Sequence, residues 1–212
     1  MYYGQNKEDE IINNLIISKY GSEFKGTILD LGANDGVTLS NSKYFLDNGW
    51  RGVLVEAGRL PFEKLCVNHA TLPKSAVAIN CAIGNEDGTM KFYESSNLIN
   101  PDDVGLVSSL VSDETTKWRD AGIQYTEYNV ECYTWKSFLD KYHLNHMNFD
   151  IISIDIEGMD YDVLIQMDLE QLGCKVLCVE FNGKEIKKYL DYAGKYGMTL
   201  AHKNPENLIF IK

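Results

Sequence analysis

Apolar positions along this chain switch between two periods. From Glu8 to Tyr20, the residues Ile11, Ile12, Leu15 and Ile16 fall on one helix face, and Glu8, Asp9 and Glu10 suit the first turn. A short apolar run from Thr27 then reaches Asp30 and breaks at Gly32-Ala-Asn-Asp-Gly36. Such a run predicts a buried parallel strand that enters a sharp turn. Residues 38–48 read as a helix closed by Gly49, and Arg51–Glu56 as a second strand. Pro61 suits the first turn of a helix reaching about His69. Residues 75–80 form a third strand that runs into Cys81-Ala-Ile-Gly84. After a turn at 85–88, residues 89–93 alternate like an edge strand.

The pattern fails from Glu94 to about Gly122, where Ser95, Ser96, Asn97, Pro101, Gly105, Ser108 and Ser109 dominate. Only residues 115–120 suit a short helix. A polar segment this long in a compact domain is usually functional or disordered, and a lid over a site at about 95–122 is the preferred reading. Regular patterning returns with a strand at 128–133 and a helix at 134–143 that Thr134 caps. Residues 149–155 form a central strand ending on Asp155; Tyr161, Val163, Leu164 and Met167 lie in a helix. Residues 175–181 are the next strand and 184–196 a helix. Residues 198–201 and 208–211 pair as a hairpin around the turn at 204–207. Strands alternating with helices imply an α/β fold with a parallel sheet, here as one domain over residues 1–212.

Composition narrows the partners. The formal net charge of −11, from 20 basic and 31 acidic residues, opposes binding to duplex nucleic acid. No apolar run approaches the roughly 20 residues of a membrane helix, and residues 1–10 do not read as a signal peptide. Five cysteines without a C-x-x-C pair read as reduced thiols of a cytoplasmic protein, with Cys174 and Cys178 as packing residues.

The candidate chemistry lies at strand ends. Asp30, Glu56, Asp155 and Glu180 each arrive at or near the carboxyl end of a predicted strand, and a parallel sheet brings those ends to one edge. The first turn lacks the G-x-G-x-x-G spacing of dinucleotide folds and carries Asp35, whose charge repels phosphate and suits an ammonium or a sulfonium. That favours S-adenosylmethionine. Glu56 follows Gly36 by 20 positions, the interval at which a second-strand acid accepts hydrogen bonds from a ribose diol. A nicotinamide-dependent oxidoreductase and a non-catalytic cofactor-binding protein are the alternatives.

The ordered set of motifs resembles the FkbM family of S-adenosylmethionine-dependent methyltransferases, in the Rossmann-like class I superfamily. It comprises Gln5 with Glu8-Asp9, Leu29-Asp-Leu-Gly-Ala-Asn-Asp-Gly36 with Ser40-Asn41, and Gly49-Trp-Arg-Gly-Val-Leu-Val-Glu56. Further along come Ala82-Ile-Gly84, Ile154-Asp-Ile-Glu-Gly158 with Val163-Leu164, and Asn207-Leu-Ile-Phe210. The resemblance implies a seven-stranded, mostly parallel sheet flanked by helices, its last strand antiparallel. It also implies O-methylation, often of a sugar hydroxyl in a glycan or related metabolite. The candidate cofactor residues are Gln5, Asp30, Gly32, Asn34, Gly36, Asn41, Glu56 and Asp155, with Ala82 and Ile83 flanking the adenine. The segment Glu56-Ala-Gly-Arg-Leu-Pro61 departs from the family, which more often keeps a proline closer to the acid.

On the acceptor side stand Asp155, Glu157 and Glu180, with Asn182. Residues i and i+2 of an extended strand share a face, so Asp155 and Glu157 converge if the strand persists that far. Converging carboxylates need relief, either a raised pKa on one of them or a bound cation. The sequence leans to Asp155 as a metal-free general base over a divalent metal on Asp155, Glu157 and Glu180, because no histidine joins the cluster. Of the four histidines only His202 lies near a predicted strand end; Trp50, Trp118 and Trp135 read as packing residues. The acceptor is a small molecule or glycan, and its identity and the oligomeric state are not written in the sequence.

Overall fold

A computed structural model describes residues 1–70, 76–97 and 104–212. The predicted third-strand start at Ser75, and residues 98–103 of the predicted lid, with Pro101, lie outside the described residues. The chain runs α1 (Glu8–Tyr20), β1 (Thr27–Leu31), α2 (Lys43–Asp47), β2 (Arg51–Glu56), α3 (Arg59–His69), β3 (Ala76–Asn80) and β4 (Ala82–Ile83). It continues through β5 (Gly88–Ser95), α4 (Glu114–Asp120), β6 (Tyr125–Tyr133), α5 (Trp135–Lys141), β7 (Ile151–Ile154) and α6 (Asp160–Leu164). It ends with β8 (Val176–Glu180), α7 (Ile186–Gly194), β9 (Thr199–Lys203) and β10 (Asn207–Ile211).

Seven strands form one sheet in the order β3-β2-β1-β7-β8-β10-β9. Only β10 opposes its neighbours β8 and β9; every other pair is parallel. The period of two explains why the central strands are apolar throughout. Leu29, Leu31, Ile152, Ile154, Leu177 and Val179 face one core, while Ile28, Ile151, Val176 and Cys178 face the other. Helices cover both faces: α5 and α7 contribute Phe138, Tyr189 and Ala193 to the first core, α1 and α2 contribute Ile12, Ile16, Phe45 and Leu46 to the second. All five cysteines are free, and Cys174 and Cys178 pack in these cores. Among the described residues no helix is long and apolar enough to cross a membrane.

Several local expectations differ from the structure. The predicted helix at 38–48 shrinks to α2, because Asp35 Oδ1 accepts the N–H groups of Val37 (2.8 Å) and Thr38 (2.7 Å), and Leu39 adopts φ 54°. Those bonds hold a turn where a helix was expected. Residues 82–83 leave the third strand for a separate sheet of order β4-β6-β5. The central strand stops at Ile154, so the i, i+2 argument for Asp155 and Glu157 fails; Glu157 sits at φ 52° in a turn. The described part of the predicted lid is packed. β5 extends to Ser95, Tyr93 and Ser109 exchange backbone hydrogen bonds of 2.9 and 3.1 Å, and α4 follows.

Buried Glu8 ties α1 to the β9–β10 turn. Its Oε1 accepts from Asn204 Nδ2 (2.6 Å) and Asn207 Nδ2 (3.2 Å), and its Oε2 from the Asn6 N–H (2.8 Å). Removing it strands buried amide donors, so Glu8→Ala should cost about 2–3 kcal/mol of stability. Urea unfolding checks this; a loss under about 0.5 kcal/mol would show that water replaces the carboxylate.

Candidate active site

The carboxyl ends of β2, β1, β7 and β8 meet along one edge because their strands are neighbours in register. Gly32 makes the meeting possible. At φ 87° it passes so close to β7 that a Cβ would lie 1.7 Å from the Asp155 carbonyl oxygen. Past β1, the Gly32 and Ala33 N–H groups both bind the Val55 carbonyl (2.9 and 3.0 Å). The Asp155 N–H binds the Leu31 carbonyl (3.0 Å), which carries the β1–β7 ladder one residue beyond the strand.

One cavity opens on this edge. It is lined by Gln5, Asp30, Gly32, Asn34, Asn41, Glu56, Ala82 and Ile83, and also by Asp155, Glu157, Glu180 and Asn182. Gly36 is not on this wall; its missing Cβ makes room for Leu65, 2.5 Å from where that atom would stand. Asp35 is also off the wall and spends both oxygens on residues 37 and 38, so its charge is no argument about the ligand. His202 sits opposite Ile209 on β9, outside the lining. Trp50 and Trp135 are core residues, but Trp118 lines the cavity with a buried, unpartnered Nε1. With it come Lys117, Leu106 and Val107. The sequence placed a short helix over Lys117 and Trp118 without tying it to a cavity, and Leu106 and Val107 lie in the polar segment that broke the pattern.

At one end, Glu56 is buried and accepts from two backbone N–H groups, Asn34 at 2.8 Å and Gly58 at 2.6 Å. Burial pushes its pKa up to about 7 against the pull of those bonds. Asn34 holds φ 47° there and gives its Nδ2 to the Val104 carbonyl (3.1 Å). Asp30, on the α2 side of β1, accepts from Ser42 Oγ at 2.5 Å, and burial raises it to about 6. Asn41 donates to Ser153 Oγ (3.2 Å), and its Oδ1 is buried with no partner.

At the other end, Asp155, Glu157 and Glu180 bring one carboxylate oxygen each to within 4.8 Å of one another. The turn that aims Glu157 is built by Asp160, which accepts from the Ile156 N–H (2.9 Å) and the Gly158 N–H (3.0 Å). Ser109 Oγ holds the Glu157 carbonyl (2.6 Å). Burial first, and then Glu157, drives the Asp155 carboxyl well above its usual range. Glu157 rises to about 7 through burial, partly offset by Lys117. Glu180 is raised by burial and by Asp155. Among the described residues no hydrogen bond reaches the Asp155 or Glu157 carboxylates, and Glu180 Oε2 is buried without a partner.

The raised Asp30 carries a sign. The folded state keeps the proton between the ordinary value of 3.8 and about 6, so stability falls as pH rises through that window. Asp30→Asn removes this dependence. Thermal unfolding should show wild type losing ground to the variant between about pH 4 and 6; parallel profiles would mean that Asp30 ionises at no cost.

Comparison with known proteins bears on the family and the fold. A profile of the "Methyltransferase FkbM domain" matches residues 30–197. A search of curated proteins gives no match. Among solved structures, a methyltransferase FkbM from Methylobacillus flagellatus KT superposes with a TM-score of 0.52 at 12% identity, over 92% of this chain. The chain spans 46% of that protein, and the likeness at this identity concerns the fold.

Proposed function

The chain belongs to the FkbM methyltransferase family, and from that premise we propose that it methylates a hydroxyl group of a sugar, glycan or related metabolite, with S-adenosylmethionine as donor. The observation that carries this reading is one cavity joining the Gly32 turn and Glu56 at one end to three carboxylates at the other. A dinucleotide fits less well. Its pyrophosphate needs a helix N-terminus after β1, whereas α2 starts only at Lys43.

The residues present suit the donor. Asn41 Oδ1 is a buried acceptor with no partner, which matches an ammonium group. Glu56 retains lone pairs beyond its two backbone bonds for a ribose diol. Ala82 and Ile83 supply apolar surface for a base, and Gln5, held to Glu206 at 3.2 Å, closes the rim. Gly32 presents bare backbone. When bound, S-adenosylmethionine supplies a methyl group already activated by a positive sulfur, so the protein's task is alignment and proton removal. In this reading Asp155, Glu157 and Glu180 receive the acceptor hydroxyl and provide for loss of its proton. Gly105, Leu106, Val107, Ser108 and Leu110, with Trp118, line the cavity, and in this reading they set the choice of acceptor as the described part of a lid.

Two variants test the two ends. Glu56→Ala should weaken S-adenosylmethionine binding about ten- to a hundredfold, as loss of a charge-assisted partner does. Calorimetry on the folded variant reads this, and unchanged affinity would remove Glu56 from the cofactor site. Asp155→Asn should abolish methyl transfer in a screen of sugar nucleotides and glycans while largely sparing cofactor affinity. Wild-type turnover in that variant would place the chemistry elsewhere. Thermal shift with S-adenosylmethionine against a nicotinamide dinucleotide separates the main alternative.

A further inference from the structure

Three acids crowd one corner of the cavity, Glu180 buried and Asp155 and Glu157 half-buried. Asp160, the nearest fourth carboxylate, is excluded as a ligand because each of its oxygens already holds a backbone N–H of the turn. The Glu180 side chain lies at the end of β8, 6% exposed, and Asn182 bears on it. Its Oε2 nevertheless has neither a donor nor water access. An unsatisfied carboxylate oxygen in that setting costs several kcal/mol.

The neighbouring cations do not answer it. Lys184 Nζ pairs with Glu114 at 2.7 Å, and Lys117 Nζ reaches the same carboxylate at 3.9 Å. Among the described residues no ion pair joins a lysine or arginine to Asp155, Glu157 or Glu180. Lys117 and Lys184 act on the acids only through the field.

The spacing suits a small cation. Oxygens on opposite sides of Mg²⁺ or Mn²⁺ stand about 4 Å apart, and across Ca²⁺ about 5 Å, so a spread within 4.8 Å needs little side-chain adjustment. All three ligands are hard oxygens, with no histidine or cysteine, which disfavours zinc. Three protein ligands on the cavity wall leave other coordination positions open, as Mg²⁺ sites typically keep.

We propose that Asp155, Glu157 and Glu180 form a binding site for a divalent cation, Mg²⁺ or Mn²⁺, whose open positions face the acceptor. Cation binding stands on the geometry alone. Its role rests on the proposed function: the ion holds the acceptor oxygen and makes its hydroxyl more acidic. This reading competes with the metal-free Asp155 base to which the sequence leaned, and it draws on the spacing that the fold supplies.

The test uses Mn²⁺ alone on the full chain, stripped with EDTA and desalted, with free Mn²⁺ read by electron paramagnetic resonance. One ion per chain should bind. Glu180→Gln and Glu157→Gln, which keep shape, should each weaken binding more than about a hundredfold, beyond the roughly ten- to hundredfold that loss of an outer hydrogen-bond partner causes. Circular dichroism verifies folding. Mn²⁺ should also raise the melting temperature of wild type and leave that of Glu180→Gln unmoved. No uptake by the folded wild type, or equal uptake by both variants, would overturn the site. S-adenosylmethionine affinity is measured separately in EDTA. Cofactor binding without Mn²⁺ uptake sinks only the cation site, and Mn²⁺ uptake without cofactor binding supports the cation site and sinks only the methyl-transfer reading.

Discussion

The candidate site depends on how closely β1 approaches β7 at Gly32. Any side chain there would collide with the Asp155 carbonyl, and the left-handed φ of 87° suits glycine alone at little cost. With Gly32 in place, the Leu31 carbonyl takes the Asp155 N–H and the Val55 carbonyl takes two N–H groups from the turn. Three strand ends are thus locked to one another. Glu56 and Asp155 stand on opposite sides of that turn as a consequence of strand order, and Glu180 follows because β8 pairs with β7.

Placing acids at those ends has a cost that the fold does not cancel. At an effective dielectric of about 20, two charges near 4.8 Å apart repel by about 3 kcal/mol. Three ionised groups incur that cost pairwise. Protonation relieves it; burial is the first cause of the raised Asp155, Glu157 and Glu180 carboxyls, and repulsion within the trio adds to it at Asp155 and Glu180. A cation at the three carboxylates would relieve it as well. Core packing elsewhere offsets a locally unfavourable arrangement of this kind, the usual relation between a scaffold and its site.

Elements with a clean period were legible in the sequence. Helix α1 has the predicted bounds, β1 and β2 lie where the apolar runs placed them, and the last two strands pair as the hairpin implied. Legibility failed where polar side chains override the period. Asp35 captures two backbone N–H groups and turns a predicted helix into a capped loop. Asp160 and Ser109 fix the turn that aims Glu157, a task no spacing rule describes. Trp118 lies in the predicted short helix, yet no pattern in the sequence tied that helix to the cavity. The acids at strand ends were visible as residues, but which of them share a corner depends on Gly32 and on strand order.

Hydrogen-bond satisfaction separates two kinds of acid in this molecule. Asp160 has each oxygen claimed by a backbone N–H, and Asp150 holds the Thr27 N–H at 2.9 Å and Lys175 Nζ at 2.7 Å. These groups do structural work, and removing their charge exposes backbone donors. Asp155, Glu157 and Glu180 hold no backbone N–H group or lysine in this way: Asn182 bonds Glu180 but leaves its Oε2 unpartnered, and Asp155 and Glu157 stand half-buried on the cavity wall. Glu56 lies between the two kinds: it fastens the Asn34 and Gly58 N–H groups and still faces the cavity. A substitution at Glu56 therefore perturbs the turn and the cavity wall together. One at Glu180 removes a charge that the protein alone does not use, which makes Glu180 the cleaner probe of what the cavity holds.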